Sequence, residues 1–217
     1  MSWDWHYVLE ILPELLQATI VTVRLALLGF VVAIVVGLLV AIARLSNDRI
    51  ISTLAWGFTE FVRLTPLLVQ LFFAFYVLPE IGIKLPAEPT GVLVIGLHYA
   101  AYTSEVYRSG IRAVATEQWE ASIALNLSTF AIWRRIILPQ AVPPMIPALG
   151  NYLIQLFKEI PLLSTITVYE LLNTGNLLAS SSFRYLETLT LVGVIFLLLS
   201  YPSSLLIRRL ESNLVKT

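Results

Sequence analysis

Among the ionisable side chains that fall inside otherwise apolar stretches of this 217-residue chain, Arg63, Glu105 and Glu159 stand out. A charge within a membrane-compatible segment is costly unless it is paired or hydrated, so each one needs a reason. One reason is function. The other is that Glu60 and Arg63, and likewise Glu105 and Arg108, neutralise one another at i,i+3 on their own helices. Glu105 lies nearer the end of its apolar segment than Arg63 does in its own, so a single shared site does not follow from spacing. Lys158 and Glu159 are adjacent and cannot face each other along a helix.

Other chemistries have no residues to carry them. There are no cysteines, hence no disulfide, thiolate metal site or cysteine nucleophile. The two histidines, His6 and His98, are far apart and form no ligand spacing. No GxxxxGK[ST], GxSxG or GxGxxG pattern occurs, so no catalytic residue and no nucleotide or metal site is assigned. Energy for any uphill work must come from another subunit. That absence disfavours a membrane-embedded enzyme and leaves a scaffold as the competing class.

Composition supplies the setting. The chain is 58% hydrophobic and 13% charged, with a mean hydropathy of +0.82, which marks an integral membrane protein. Residues 1–14 are aromatic and acidic and are expected to lie at the outer interface. Spans are expected near residues 19–43, 53–78, 90–107, 139–157 and 188–207, with Arg24 the one charge in the first. Pro143, Pro144 and Pro147 predict an irregular entry into the fourth. Residues 160–169 are too short to cross alone, and 173–184, with Gly175 and three serines, reads as loop. Five spans put the termini on opposite sides. With the N-terminus outside, Arg44, Arg49, Arg108, Arg112, Arg134, Arg135, Arg208, Arg209 and Lys216 fall inside, against Lys84, Lys158 and Arg184 outside. Residues 108–138 are then a cytoplasmic loop.

The stretch Gln118–Pro139, QWEASIALNLSTFAIWRRIILP, is the longest polar, amphipathic interruption. A short helix is expected from Glu117 to about Asn126, with Thr116 as N-cap and Glu117 and Glu120 in the first turn, where carboxylates suit the helix dipole. On the amphipathic pattern alone, an interfacial helix without a partner is the favoured explanation, since such helices are common at bilayer surfaces.

Its spacing resembles the signature of bacterial ABC importer membrane subunits: Glu-Ala-Ala, three residues, Gly, nine residues, Ile, any residue, Leu-Pro. Glu120, Ala121, Ile136, Leu138 and Pro139 match in register, while Ser122 replaces the second Ala and Asn126 the Gly. Asn is the next best residue for the left-handed turn that such a Gly makes. EFVRLTPLLVQLFF, AYTSEVYRSGI and ILPQAVPPMIPALGNYLIQLFKE are similar to the polar amino acid branch of these permeases, and LHYAAYTSEVYRSGI and ALNLS are similar to the ectoine and hydroxyectoine permease within it. KEIPLL departs from the branch's KDTSL-like pattern at Ile160 and Pro161.

The resemblance implies an all-α, type I importer permease fold with five transmembrane helices and a cytoplasmic coupling helix, in the bacterial inner membrane. It implies a second permease, two ATPase subunits that bind ATP and Mg2+, an extracytoplasmic solute-binding protein, surrounding lipid and no nucleic acid. The ATPase contact would fall on Gln118, Trp119, Glu120, Ala121, Ser122 and Asn126, with Glu120 foremost. The solute, best matched by ectoine or otherwise by a polar amino acid such as glutamine, glutamate, histidine or arginine, is a zwitterion. It needs a cation for its carboxylate and an anion for its amino or amidine group. Arg63, Glu105 and Glu159 would supply these, with Thr65, Tyr102, Ser104 and Gln155 as hydrogen-bonding neighbours.

Overall fold

Asp4 starts the first helix: its carboxylate accepts from the backbone N–H groups of His6 (2.9 Å) and Tyr7 (3.3 Å). The computed structural model describes residues 3–214, and among them every regular element is helical. Helix α1 (Trp5–Arg44) therefore already contains most of the stretch expected to lie flat at the interface, whose Met1 and Ser2 fall outside the described residues. At 40 residues it is about 60 Å long, twice the ~30 Å hydrocarbon thickness. One end must project. Its first turns pack through Ile11, Leu15 and Ala18 against Leu171, Val192 and Ile195, and Arg184 pairs with Asp4 at 2.9 Å. Donation from Tyr7 N–H, reinforced by His6 N–H and Arg184, holds the Asp4 carboxyl below its ordinary range. A depressed carboxylate stabilises above its unfolded-state pKa, so this cap is intact at neutral pH and is lost on acidification.

Helix α2 (Arg49–Leu64) begins at the Asp48 cap, earlier than the span expected from residue 53. It does not continue to residue 78. At Thr65–Pro66 the chain breaks, and α3 (Leu67–Phe72) with the turns up to Ile81 departs at 104°. Pro66 brings no N–H and disfavours helical backbone at the preceding residue, so Thr65 is extended (ψ 136°). A π-helical turn, Phe73–Val77, then precedes Pro79. Another, Trp133–Ile137, precedes Pro139. A proline ring collides with the carbonyl four residues back (Phe75 and Arg135 here), and widening the preceding turn gives it room.

Helix α4 (Ala87–Arg112) is the centre of the fold and outruns the expected 90–107 at both ends. Arg24 finds Glu88 in its first turn at 2.5 Å. Gly29, Ala33 and Gly37 of α1 meet Gly96, Ala100 and Thr103 of α4, and the Thr103 hydroxyl donates to Ala33 O at 2.7 Å. The expected 108–138 loop is mostly helical: the end of α4, α5 (Thr116–Ala124) and α6 (Thr129–Ile132), which runs through the π turn into α7 (Leu138–Glu159). The three prolines leave α7 continuous, the irregular entry being that π turn.

Residues 160–166 form a 3-10 turn. The loop expected at 173–184 is instead helix α8 (Leu171–Ser182), started by the fully buried Glu170, whose carboxylate accepts from Leu172 N–H (2.9 Å) and Asn173 N–H (2.7 Å). Helix α9 (Tyr185–Leu214) ends the description, and Lys216 lies outside it. By length and apolarity alone, α1 and α9 can each cross a bilayer, and α2 with α3 makes a third, broken crossing. Helices α4 and α7, at 26 and 22 residues, have the length. Polar residues lower their apolarity: α4 encloses Thr90, His98, Thr103 and Ser104, while α7 exposes Asn151 and Gln155.

Candidate functional site

Glu105 is the hub of a charged cluster drawn from three helices. Its carboxylate accepts from Arg44, at the end of α1, and from Arg108 Nε (2.9 Å) and Nη2 (2.7 Å). Arg63, in the last turn of α2, stands 3.6 Å from it and 3.7 Å from Glu60. Three guanidinium groups thus face two carboxylates. Both i,i+3 pairs legible in the sequence are present, and contacts across helices are added to them. The 104° break lets this happen, because α2 is not the lower half of a straight rod and Arg63 stays level with Glu105.

An aromatic wall adjoins the cluster. Arg63 lies over the Tyr102 ring at 5.6 Å, and Tyr102 contacts His98 (5.3 Å), Tyr99 (6.0 Å) and Tyr152 (5.6 Å) between ring centres. Glu159 is half-buried at the far side, beside Tyr99, with one carboxylate oxygen enclosed and without a hydrogen-bond partner among the described residues. Gln155 is exposed on α7 one turn before it. Ser104 is fully buried and gives its hydroxyl to Ala101 O at 2.7 Å. Thr65 donates to Phe61 O at 2.8 Å and accepts from Gln70 at 2.6 Å. Gln70 and Arg44 were not singled out in the sequence: Gln70 carries no charge, and Arg44 reads as a boundary arginine.

The second candidate surface is α5. Its N-cap is Ala115 rather than Thr116, which is the first helical residue. Gln118, Glu120 and Ala121 are exposed, together with Ile123 and Leu125. Trp119 is half-buried and packs edge-on to Trp133 at 5.3 Å, while Ser122 is buried and donates to Gln118 O at 2.6 Å. Asn126 is left-handed (φ 53°). Asn126 N–H reaches Ile123 O at 2.9 Å and Leu127 N–H reaches Ser122 O at 3.2 Å, a Schellman closure. Asn126→Gly is therefore expected to be neutral. Asn126→Val should cost about 1–2 kcal/mol and raise hydrogen exchange over residues 116–127.

Residues 33–216 match the family of binding-protein-dependent transport system inner membrane components. The chain belongs to that family. This permease is 46% identical over 220 residues to a probable amino-acid ABC transporter permease of Sinorhizobium fredii, covering 99% of this chain and 95% of that one. It is 37% identical to the nopaline transport system permease of Agrobacterium fabrum, covering 96% and 90%. Its fold superposes on a crystal structure of an amino acid ABC transporter with histidines at a TM-score of 0.91, with 30% identity and coverage of 98% and 100%.

The permease is thus a multi-pass inner-membrane subunit without catalytic function of its own. An ATPase does the hydrolysis, and a binding protein belongs to such systems. The solutes named for these relatives are amino acids and nopaline, so the narrower ectoine expectation gives way to the amino acid one.

Proposed function

We propose that this permease imports a polar, zwitterionic amino acid, driven by ATPase subunits that dock on α5. The charged cluster at Glu105 carries the reading. Its guanidinium groups outnumber its carboxylates, and Arg63 is the most open of the three arginines, with its side chain 38% exposed. A solute carboxylate suits Arg63, an ammonium suits Glu159 or Glu105, and Tyr102 and Gln155 complete the wall. Ser104 and Thr65, whose hydroxyls are already committed, act as framework.

Two permeases, identical or paired, would face each other about a two-fold axis, each engaging one of two ATPases that hold ATP and Mg2+. Gln118, Glu120 and Ala121 form the docking face, Trp119 and Ser122 anchor α5 to the permease, and Asn126 closes it. The basic residues favour the N-terminus outside and the C-terminus inside.

Uptake of labelled glutamine into proteoliposomes bearing permease, ATPase and binding protein tests the solute class. Competition by polar amino acids but not by ectoine is expected. Ectoine uptake that amino acids fail to compete would overturn the assignment.

A further inference from the structure

Gln70 closes a ring of contacts through which α2 and α4 fix the position of Arg63. The two N–H groups of its side-chain Nε2 are shared among Val62 O (2.8 Å), Thr65 O (3.1 Å) and Thr65 Oγ1 (2.6 Å), so it covers the carbonyl end of α2 at the break. Pro66 cannot supply a backbone N–H there. Two of those three acceptors are carbonyls, which fixes the amide orientation and turns Oε1 toward His98 Nδ1, 3.1 Å away. An amide oxygen only accepts, so His98 carries its proton on Nδ1. The His98 ring packs at a tilt against Tyr102, Tyr102 carries Arg63, and Arg63 is the neighbour of Val62. The circuit is complete.

We propose that Gln70 is a positioning residue for solute recognition: by pinning the end of α2 to α4 it sets where the Arg63 guanidinium stands, without touching solute itself. This rests on the reading of Arg63 as a solute contact. Gln70→Met keeps the bulk and removes both hydrogen-bonding functions. Loss of the amide's donors and of its acceptor is expected to raise the KM for glutamine uptake roughly tenfold with the maximal rate largely kept.

The chain has no native cysteine, so spin labels at Leu54→Cys and Ile81→Cys report the break directly in nanodiscs, whatever solute is carried. The Leu54–Ile81 distance distribution should broaden in Gln70→Met. Broadened distances with raised KM support the proposal. Unchanged distances overturn it, as does an unchanged KM in a preparation whose wild type transports. Absence of glutamine transport by the wild type itself would instead count against the solute reading, leaving the distances to judge the pin.

Should Gln70→Met fail to assemble, Gln70→Glu decides. A protonated carboxyl can donate to Val62 O and accept from His98, whereas a carboxylate cannot donate. Its KM should fall toward the wild-type value on acidification. A pH profile parallel to the wild type would overturn the proposal.

Discussion

Glu105→Gln is expected to reduce solute uptake about a hundredfold while the permease still inserts. The substitution preserves shape and removes the charge, leaving Arg63 with Glu60 and leaving Arg44 and Arg108 with no carboxylate partner among the described residues. Arg44 loses most, since its side chain is only 10% exposed. Breaking a buried ion pair from one side costs about 3–5 kcal/mol, and the partial exposure of the other arginines brings this to roughly 2–3 kcal/mol. The guanidinium groups will spread apart and Arg63 will leave the Tyr102 face. Radiolabel uptake and thermal unfolding, measured together, check this. Uptake at the wild-type rate would mean that the cluster is structural only, and Glu105→Asp should fall between the two.

Gly37→Val is expected to prevent accumulation of folded permease. Even a Cβ at Gly37 would collide with the Thr103 hydroxyl and stand 2.9 Å from Ala100 O. Neither can yield cheaply: one is backbone, and the other is held to Ala33 O. Overpacking costs about 1–3 kcal/mol, and the displaced interhelical hydrogen bond adds about 0.6 kcal/mol. Gly96→Val should behave alike, since a Cβ there meets Val32 at 2.6 Å and Gly29 O at 3.0 Å. Gly57 and Gly193 supply the contrast, because nothing lies within 4 Å of a Cβ at either. Gly57→Ala and Gly193→Ala should therefore be tolerated, or stabilise by about 0.5–1 kcal/mol. Detergent-extracted monodisperse yield separates the two pairs. Equal yields would refute the close approach of α1 and α4.

Much of this was legible from residue chemistry. Apolar length marked α1 and α9, and the spacing around Glu120 and Asn126 marked α5 and its left-handed end. Charge without burial was less informative: Arg63 and Glu105 could be named, but their convergence depends on the break at Pro66, and hydropathy runs straight through that proline. The loop expected at 173–184 failed for a related reason. Gly175 reads as a breaker, yet it is the residue that lets α8 lie against Val192, where a Cβ would approach to 2.5 Å. Ser180, Ser181 and Ser182 turn their hydroxyls back onto Leu177 and Leu178 carbonyls, which a helix accommodates. The start signal was Glu170, a carboxylate that caps from full burial and that sequence alone presents as one more acidic residue.

Cross-linking from position 120 tests most directly that α5 receives force from a separate ATPase. The cysteine-free chain allows Glu120→Cys to be paired with single cysteines in the ATPase groove, in inverted and right-side-out vesicles. Cross-links confined to the ATPase-bearing face and changing in yield with ATP are predicted, with the ATPase lost from pull-downs of Glu120→Arg. Reaction of position 120 only from the opposite face, or full ATPase binding by Glu120→Arg, would contradict it.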